Sequence, residues 1–338
     1  MREILATEML EALGVSTSKT FSLFETGEAL YRGDEPSPTR SSVLVRLSHS
    51  HVRFGTFQRL AYLNDHARIR QLTDYVLANL LPSCQSPVAM LGEVVVRAAE
   101  LCASWMTAGF VHGVLNSDNM NVTGESLDYG PYRFLPHYDP SFTAAYFDHG
   151  GLYAFGRQPA AVLKNLSRLA ESLTSIADRG ELAAELRRFE PHLGEAVRRR
   201  FLERLGVASL SVDVDAETIG AAFDFLEETK VGYEQFFFDW YGGGASARRA
   251  MGSPEREAYR GPTFAAFDKT VRAHAPLHPE RLETAYFQQR KPCTLLIDEI
   301  EAIWSAIDVA DDWSLLERKV TEIRAMGRSI ADGGLSFD

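Results

Sequence analysis

Between Val88 and Met106 the residues Leu91, Val94, Val95, Ala98, Cys102, Trp105 and Met106 recur at helical spacing and form one apolar stripe. A stripe of that width commits its helix to the interior of a core. The chain then leaves the helix for "HGVLNSDNMNVTGESLDYGP", residues 112–131, which gathers aspartates and asparagines around apolar positions. A buried helix therefore delivers a polar loop to one fixed place. Taken singly, an Asp-Asn pair or an Asp-Tyr-Gly is what loops use to cap and bend the backbone. Their joint order directly after a core helix favours a site over a turn.

The rest of the chain frames that loop. Ile4, Leu5, Met9, Leu10 and Leu13 repeat at helical spacing with Gly14 as a stop, so residues 2–13 read as an amphipathic helix. Next, "TSKTFSLFE" and "SSVLVRLS" read as a short antiparallel pair around the exposed turn "YRGDEPSPTR". Helical periodicity returns from Thr56 to Leu81, and "MNVT" with "ESLDYG" reads as a β-hairpin above the core helix. Pro159 to Ile176 is a further helix, with Pro in its first turn. Beyond residue 180 the pattern is almost entirely helical, broken by "LSVDVDA" and by the Gly-rich "YGGGASARRAMGSP" at 241–254. That last stretch has no Gly-Lys-Ser/Thr ending, so it reads as a flexible connector rather than a phosphate loop.

Composition narrows the possible partners. A chain of 338 residues with 45% hydrophobic content can bury a sizeable core. Its net charge of −11 argues against general binding to nucleic acid or anionic membranes, which draws on clustered Lys and Arg. Cys84, Cys102 and Cys293 are far apart and form neither a disulfide framework nor a zinc pattern. No secretory leader and no apolar run near the roughly 20 residues of a membrane span is visible, which points to the cytoplasm.

Kinases use a helix to deliver a loop holding a base and a metal-binding Asn, then a hairpin to deliver the metal-binding Asp of an Asp-Phe-Gly-type turn. Here the order is His112-Gly113, Asn119, then Asp128-Tyr129-Gly130. Small-molecule kinases of the aminoglycoside and choline type open this loop with His-Gly-Asp, and Val114 stands where that Asp would be. The chain is then either catalytically dead or carries out a different transfer with Asp118 as base. Asn119 and Asp128 still offer hard oxygen ligands for Mg²⁺ or Mn²⁺ beside nucleotide phosphates. Upstream, Arg46 and Arg53 flank a strand-to-loop segment, where a guanidinium suits polyphosphate or simply keeps a surface soluble. His49 and His51 alternate without a third ligand nearby, a weak metal signal.

The long motif "HGVLNSDNMNVTGESLDYGPYRFLPHYDPSF", with "YAFGRQPAAVLKNLSRLAESL", "SSVLVRLSHSHVRFGTF" and "EMLEALGVSTSKTFSLFETGE", resembles the SelO family, also called YdiU. Its members are kinase-fold proteins that transfer AMP from ATP to Ser, Thr or Tyr hydroxyls of proteins, with ATP flipped so that the α-phosphate is open to attack. The likeness is dense over residues 1–175 and thinner beyond, where "YEQFFFDW" still fits. It implies Asp118 as base, Asn119 and Asp128 as metal ligands, and Arg46 and Arg53 near the nucleotide phosphates. Glu3 corresponds to the helix Glu that pairs with a nucleotide-contacting Lys.

Three departures accompany the resemblance. The first lysine is Lys19, downstream of Glu3, so the paired Lys and the segment bearing it are expected to be missing. The family's redox Cys falls at about Ala144, and "GGLSFD" closes the chain without a Cys or selenocysteine motif. Residues 240–338 do not align clearly. The expectation is an α+β, protein-kinase-like two-lobed fold with a reduced N-lobe. Residues 1–60 would form the partial N-lobe, 61–240 the kinase-like C-lobe, and 241–338 a helical extension. The expected partners are ATP with Mg²⁺ or Mn²⁺ and a hydroxyl-bearing protein substrate, without nucleic acid or membrane. A non-catalytic protein that keeps the fold and binds nucleotide or a partner is the alternative reading.

Overall fold

Helix α1 (Arg2–Ala12) buries Leu5, Ala6, Met9 and Leu10, the face that the spacing of residues 2–13 predicts. The computed structural model describes residues 1–33 and 37–330; the middle of "YRGDEPSPTR" and the closing "GGLSFD" lie outside the described residues. Strands β1 (Lys19–Leu30) and β2 (Thr39–Leu47) form the expected antiparallel pair, with Thr20 opposite Arg46 and Leu23 opposite Leu44. Neither pairs with a third strand among the described residues. The outer face of this ribbon is apolar, leaving Phe21 71% and Leu47 55% exposed beside Phe24, Val43 and Val45.

The periodic run 56–81 is not one helix but two, α2 (Phe54–Tyr62) and α3 (His66–Asn79). Asn64 turns the chain at φ +54, and the Asp65 carboxylate accepts from Arg68 N at 3.1 Å as the cap of α3. An Asp cap starts a new helix even where apolar spacing runs on. Helix α4 (Pro87–Thr107) follows, capped by Ser86, whose Oγ accepts from Ala89 N at 3.1 Å. Its stripe is buried as expected apart from half-buried Met106, and α4 packs on α5 (Gln158–Leu173), α6 (Arg179–Leu186) and α7 (Phe189–Leu205).

The expected hairpin over "MNVT" and "ESLDYG" does not form. The short strands here are β3 (Phe110–Val111) and β4 (Arg133–Phe134), which pair with each other outside the loop. Inside it, Asn121 pairs with Arg53 and Ser126 with Thr17, so each half bonds to a different upstream segment rather than to its neighbour. The Asn121 side chain accounts for this: its amide donates to Ser50 O while its oxygen accepts from Thr123 N at 3.1 Å, turning the chain where a strand would continue.

Two other interruptions are folded structure. "LSVDVDA" holds the start of α8 (Val212–Thr229), because Ser211 caps it and Asp215 is buried against Arg198, Ser209 and Leu210 N. The Gly-rich stretch after α9 (Tyr233–Asp239) is no flexible connector: it contains the short α10 (Ala247–Ala250) and buries Gly243, Ser246, Ala250 and Ser253. Buried Asp239 fixes it by accepting from Ser253 Oγ at 2.5 Å and Tyr259 OH at 2.7 Å. Helices α11 (Pro262–Val271), α12 (Ile297–Ala310) and α13 (Ser314–Ile330) complete the chain, α13 lying against α1 with Arg324 paired to Glu8.

The result is α+β, dominated by helix with small sheets, around two apolar clusters. One joins α1–α5 to α12 and α13; the other joins Val111, Leu135 and Phe155 to α7–α9 and α11. Cys84, Cys102 and Cys293 are free, and burial pushes the Cys102 thiol up to about 12. No helix among the described residues is long and apolar enough to cross a membrane.

His112 roots the polar loop in this core. It is fully buried among Trp105, Phe110 and Tyr129, and its Nε2–H donates to Leu127 O at 3.0 Å. Burial pulls its pKa down to about 4 from 6.5. The unfolded chain then binds a proton below pH 6.5 that the folded chain refuses until about pH 4. Stability should be full above pH 6.5 and fall by about 3 kcal/mol between there and pH 4. Urea midpoints across that window should show the slope, and His112→Gln should remove this share of it.

Candidate active site

The segment between β2 and α2 and the loop 112–131 are joined by their backbones. Phe54 N donates to Met120 O at 2.9 Å and Val122 N to Val52 O at 3.1 Å, while Ser18 N donates to Ser126 O at 3.2 Å. Trp105, buried on α4, donates its Nε1–H to Ser126 Oγ at 2.9 Å. Both ends of the loop are thus held, one by the start of α2 and the other by the approach to β1.

Asp128 sits at φ +55, a left-handed conformation that Asp tolerates better than most residues. From there its carboxylate meets two guanidinium groups. Arg46 Nη2 donates to Oδ1 at 2.5 Å, and Arg53 Nη2 lies 2.7 Å from Oδ2. Arg46 also donates through Nη1 to Glu3 Oε2 at 2.6 Å, and Glu3 Oε1 accepts from Tyr129 N at 2.9 Å. Burial pushes the Glu3 carboxyl above its usual range, with Arg46 opposing that rise. Glu3, Arg46, Asp128 and Arg53 therefore form one chain of alternating charge.

Glu3 is expected to match a residue that pairs with lysine; its partners here are Arg46 and the Tyr129 amide. Lys19 is elsewhere, paired with Glu11. A guanidinium from β2 lies beside the helix glutamate.

Asp118 and Asn119 lie on a 3₁₀ turn, Ser117–Asn119, capped by Asn116 Oδ1, which accepts from Asp118 N at 2.9 Å and Asn119 N at 3.2 Å. Asp118 is exposed. Asn119 Nδ2 donates to Val114 O at 2.8 Å, which fixes the orientation of the amide. A residue that sequence reasoning missed is Gly55, in the first turn of α2: a Cβ there would overlap Asp118 Oδ1. The only signal was a glycine two places after Arg53 at a helix start, where an ordinary residue would suffice.

His49 does not build a metal site. Its Nδ1 lies 2.7 Å from Oε1 of buried Glu125, whose other oxygen accepts from His49 N at 3.0 Å and Ser48 Oγ at 2.9 Å. Burial alone would raise the Glu125 carboxyl, and these donors more than offset it, holding it below its usual range. Among the described residues no group of three or more His, Cys, Asp and Glu is placed to hold a metal. Asp128, its oxygens held by Arg46 and Arg53, and the Asn119 amide are donors of a kind that suits a divalent cation arriving with nucleotide phosphates rather than one caged by protein.

Comparison with known proteins identifies the family of the chain. The family described as "Protein adenylyltransferase SelO" matches residues 1–324. A protein named "Protein nucleotidyltransferase YdiU" from Gloeobacter violaceus is 44% identical over 328 residues, covering 93% of this chain and 67% of its own length. The protein of the same name from Trichodesmium erythraeum is 38% identical, covering 93% of this chain and 70% of its own. For the one from Trichormus variabilis, 45% identical, the match covers 71% of this chain and half of the relative. The chain thus spans between half and about 70% of the length of these relatives. With the family matched almost from end to end, the chain belongs to the SelO family.

Proposed function

We propose that this chain is a SelO-type protein adenylyltransferase on a kinase-like, two-lobed architecture, moving AMP from ATP to Ser, Thr or Tyr hydroxyls of proteins. The observation that carries the reading is the meeting of Arg46 and Arg53 on Asp128, with Gly55, two residues after Arg53, against Asp118, in a chain of this family. The relatives' shared name, protein nucleotidyltransferase, supports the general reaction. Arg46 and Arg53 would exchange a carboxylate for phosphate oxygens, which a guanidinium holds equally well. Asn119 and Asp128 would hold Mg²⁺ or Mn²⁺, which when bound neutralises phosphate charge.

The acceptor hydroxyl oxygen attacks the α-phosphorus and its proton passes to the Asp118 carboxylate, directly or through water. The new O–P bond forms as the bond from the α-phosphorus to the bridging oxygen breaks, and pyrophosphate leaves. Asp118 suits the role because it is exposed toward an incoming hydroxyl, while Gly55 leaves its carboxylate room.

ATP labelled at the α-phosphate should transfer its label to protein in the presence of Mg²⁺ or Mn²⁺, and EDTA should abolish the transfer. Label from the γ-phosphate on a product would mark ordinary phosphotransfer, and no transfer of either would mark a non-catalytic binder. Asp118→Asn should lower transfer by about 10²–10⁴. Gly55→Ala should lower it by about 10² through displaced geometry while the melting temperature holds or rises, alanine being the better helix former. Asp128→Asn keeps a residue tolerant of positive φ and removes the charge. Calorimetry should then find the metal-dependent part of ATP binding lost in a protein that still folds.

A further inference from the structure

After β4 the chain makes a closed excursion that the adenylyl-transfer chemistry does not use. Phe155 N donates to Phe142 O and Gly156 N to Pro140 O, both at 2.9 Å, so the segment 142–155 leaves and returns at one point. Its interior is pinned from both sides. The Asp148 carboxylate accepts from Leu152 N at 2.7 Å and Tyr153 N at 2.8 Å, and Arg157 Nη1 donates to Gly150 O at 2.9 Å. Yet this pinned loop presents Tyr146 at 65% and Phe147 at 51% exposure, their ring centroids 5.2 Å apart. A tethered loop holding a pair of large aromatic rings in water is the form that recognition surfaces take.

An open cavity of about 810 Å³ lies along this loop, with Arg133, Thr143, Tyr146 and Arg157 among its walls. Another wall, Ala144, backs onto the catalytic loop: at Gly113, φ +84, a Cβ would stand 3.1 Å from Ala144 Cβ and 3.0 Å from Pro131. The cavity thus shares a wall, at Ala144, with the start of the loop that carries Asp118 five residues further on. The charged groups along its wall are Arg133, Arg157 and Asp148, a positive balance in which the Asp148 oxygens already serve Leu152 and Tyr153 and Arg133 donates through Nη1 to Pro131 O and Tyr132 O. In a chain of net charge −11 that is a local reversal of sign.

We propose that this cavity seats an extended, acidic segment of the acceptor protein beside its hydroxyl, with Tyr146 and Phe147 as an apolar rim. The assignment rests on the adenylyl-transfer reading above and adds the acceptor's chemistry to it. Arg133 selects the carboxylates, and the aromatic pair supplies contact area that is indifferent to charge.

Short synthetic peptides carrying one Ser, flanked either by Asp or by Lys, test this with ATP labelled at the α-phosphate. The acidic peptide should be labelled at least about tenfold faster. Arg133→Gln should bring the two rates together, and Tyr146→Ser with Phe147→Ser should raise KM for both peptides with kcat held. Calorimetric Mg·ATP binding should be the same in every variant, which separates loss of docking from loss of folding. Equal labelling of the two peptides, a preference that survives Arg133→Gln, or label on proteins but on neither peptide would overturn the docking assignment alone. Absence of α-label from every protein, this one included, would overturn it together with the reading on which it rests.

Discussion

Two guanidinium groups on one carboxylate hold the site together. Arg46 comes from the ribbon, Arg53 from the entry to α2, and Asp128 from the far end of the loop that α4 delivers, so a single ionic knot ties three separately folded pieces. The side chain of Arg46 is only 14% exposed, and it bonds Glu3 as well. Exposed ion pairs contribute at most about 1 kcal/mol, whereas breaking a shielded one by removing a partner costs about 3–5 kcal/mol. Arg46 lies nearer the second case, because its loss would leave Glu3 with the Tyr129 amide and Asp128 with Arg53 alone. The same residues that would grip phosphate thus tie the site together.

A knot of charges needs rigid supports, and the chain provides them in layers. Helix α4 is buried along its stripe, Trp105 reaches from it to Ser126, and His112 sits among aromatic rings directly beneath the loop. Glu125 adds a polar clamp from within, collecting donors from Ser48, His49 and Thr123 where hydrophobic packing ends. Asp118 and Asn119 then need only a short 3₁₀ turn capped by Asn116 to be placed. Each layer is local chemistry resting on the one below it.

Much of this was legible in the residues. The stripe of α4 and the antiparallel pair of β1 and β2 follow from periodicity and turn residues, whereas the ion pairs of Arg46 and Arg53 with Asp128 do not, the resemblance implying these arginines near nucleotide phosphates and Asp128 on a metal. Less legible was whatever depends on contacts between distant segments. The hairpin expected over "MNVT" and "ESLDYG" gave way because Asn121 and Ser126 found partners at Arg53 and Thr17, which no local pattern announces. The break at Asn64 hid because apolar spacing crosses it unchanged. The Gly-rich segment passed for a connector because its order comes from Asp239, Ser253 and Tyr259, three residues whose meeting is tertiary. Gly55 was silent for the same reason, since its meaning is the space it leaves for another residue.

The β1–β2 ribbon gives the site an uneven mechanical character. Its strands have only each other as sheet partners among the described residues, and its outer apolar face is open to water, whereas the α4 side of the site is enclosed by packed helices. A lone two-stranded unit owes most of its persistence to what it rests on. Arg46 is therefore carried by an element that leans on its neighbours and Asp128 by a loop rooted in packed helices, so thermal fraying starts on the arginine side of the ion pair.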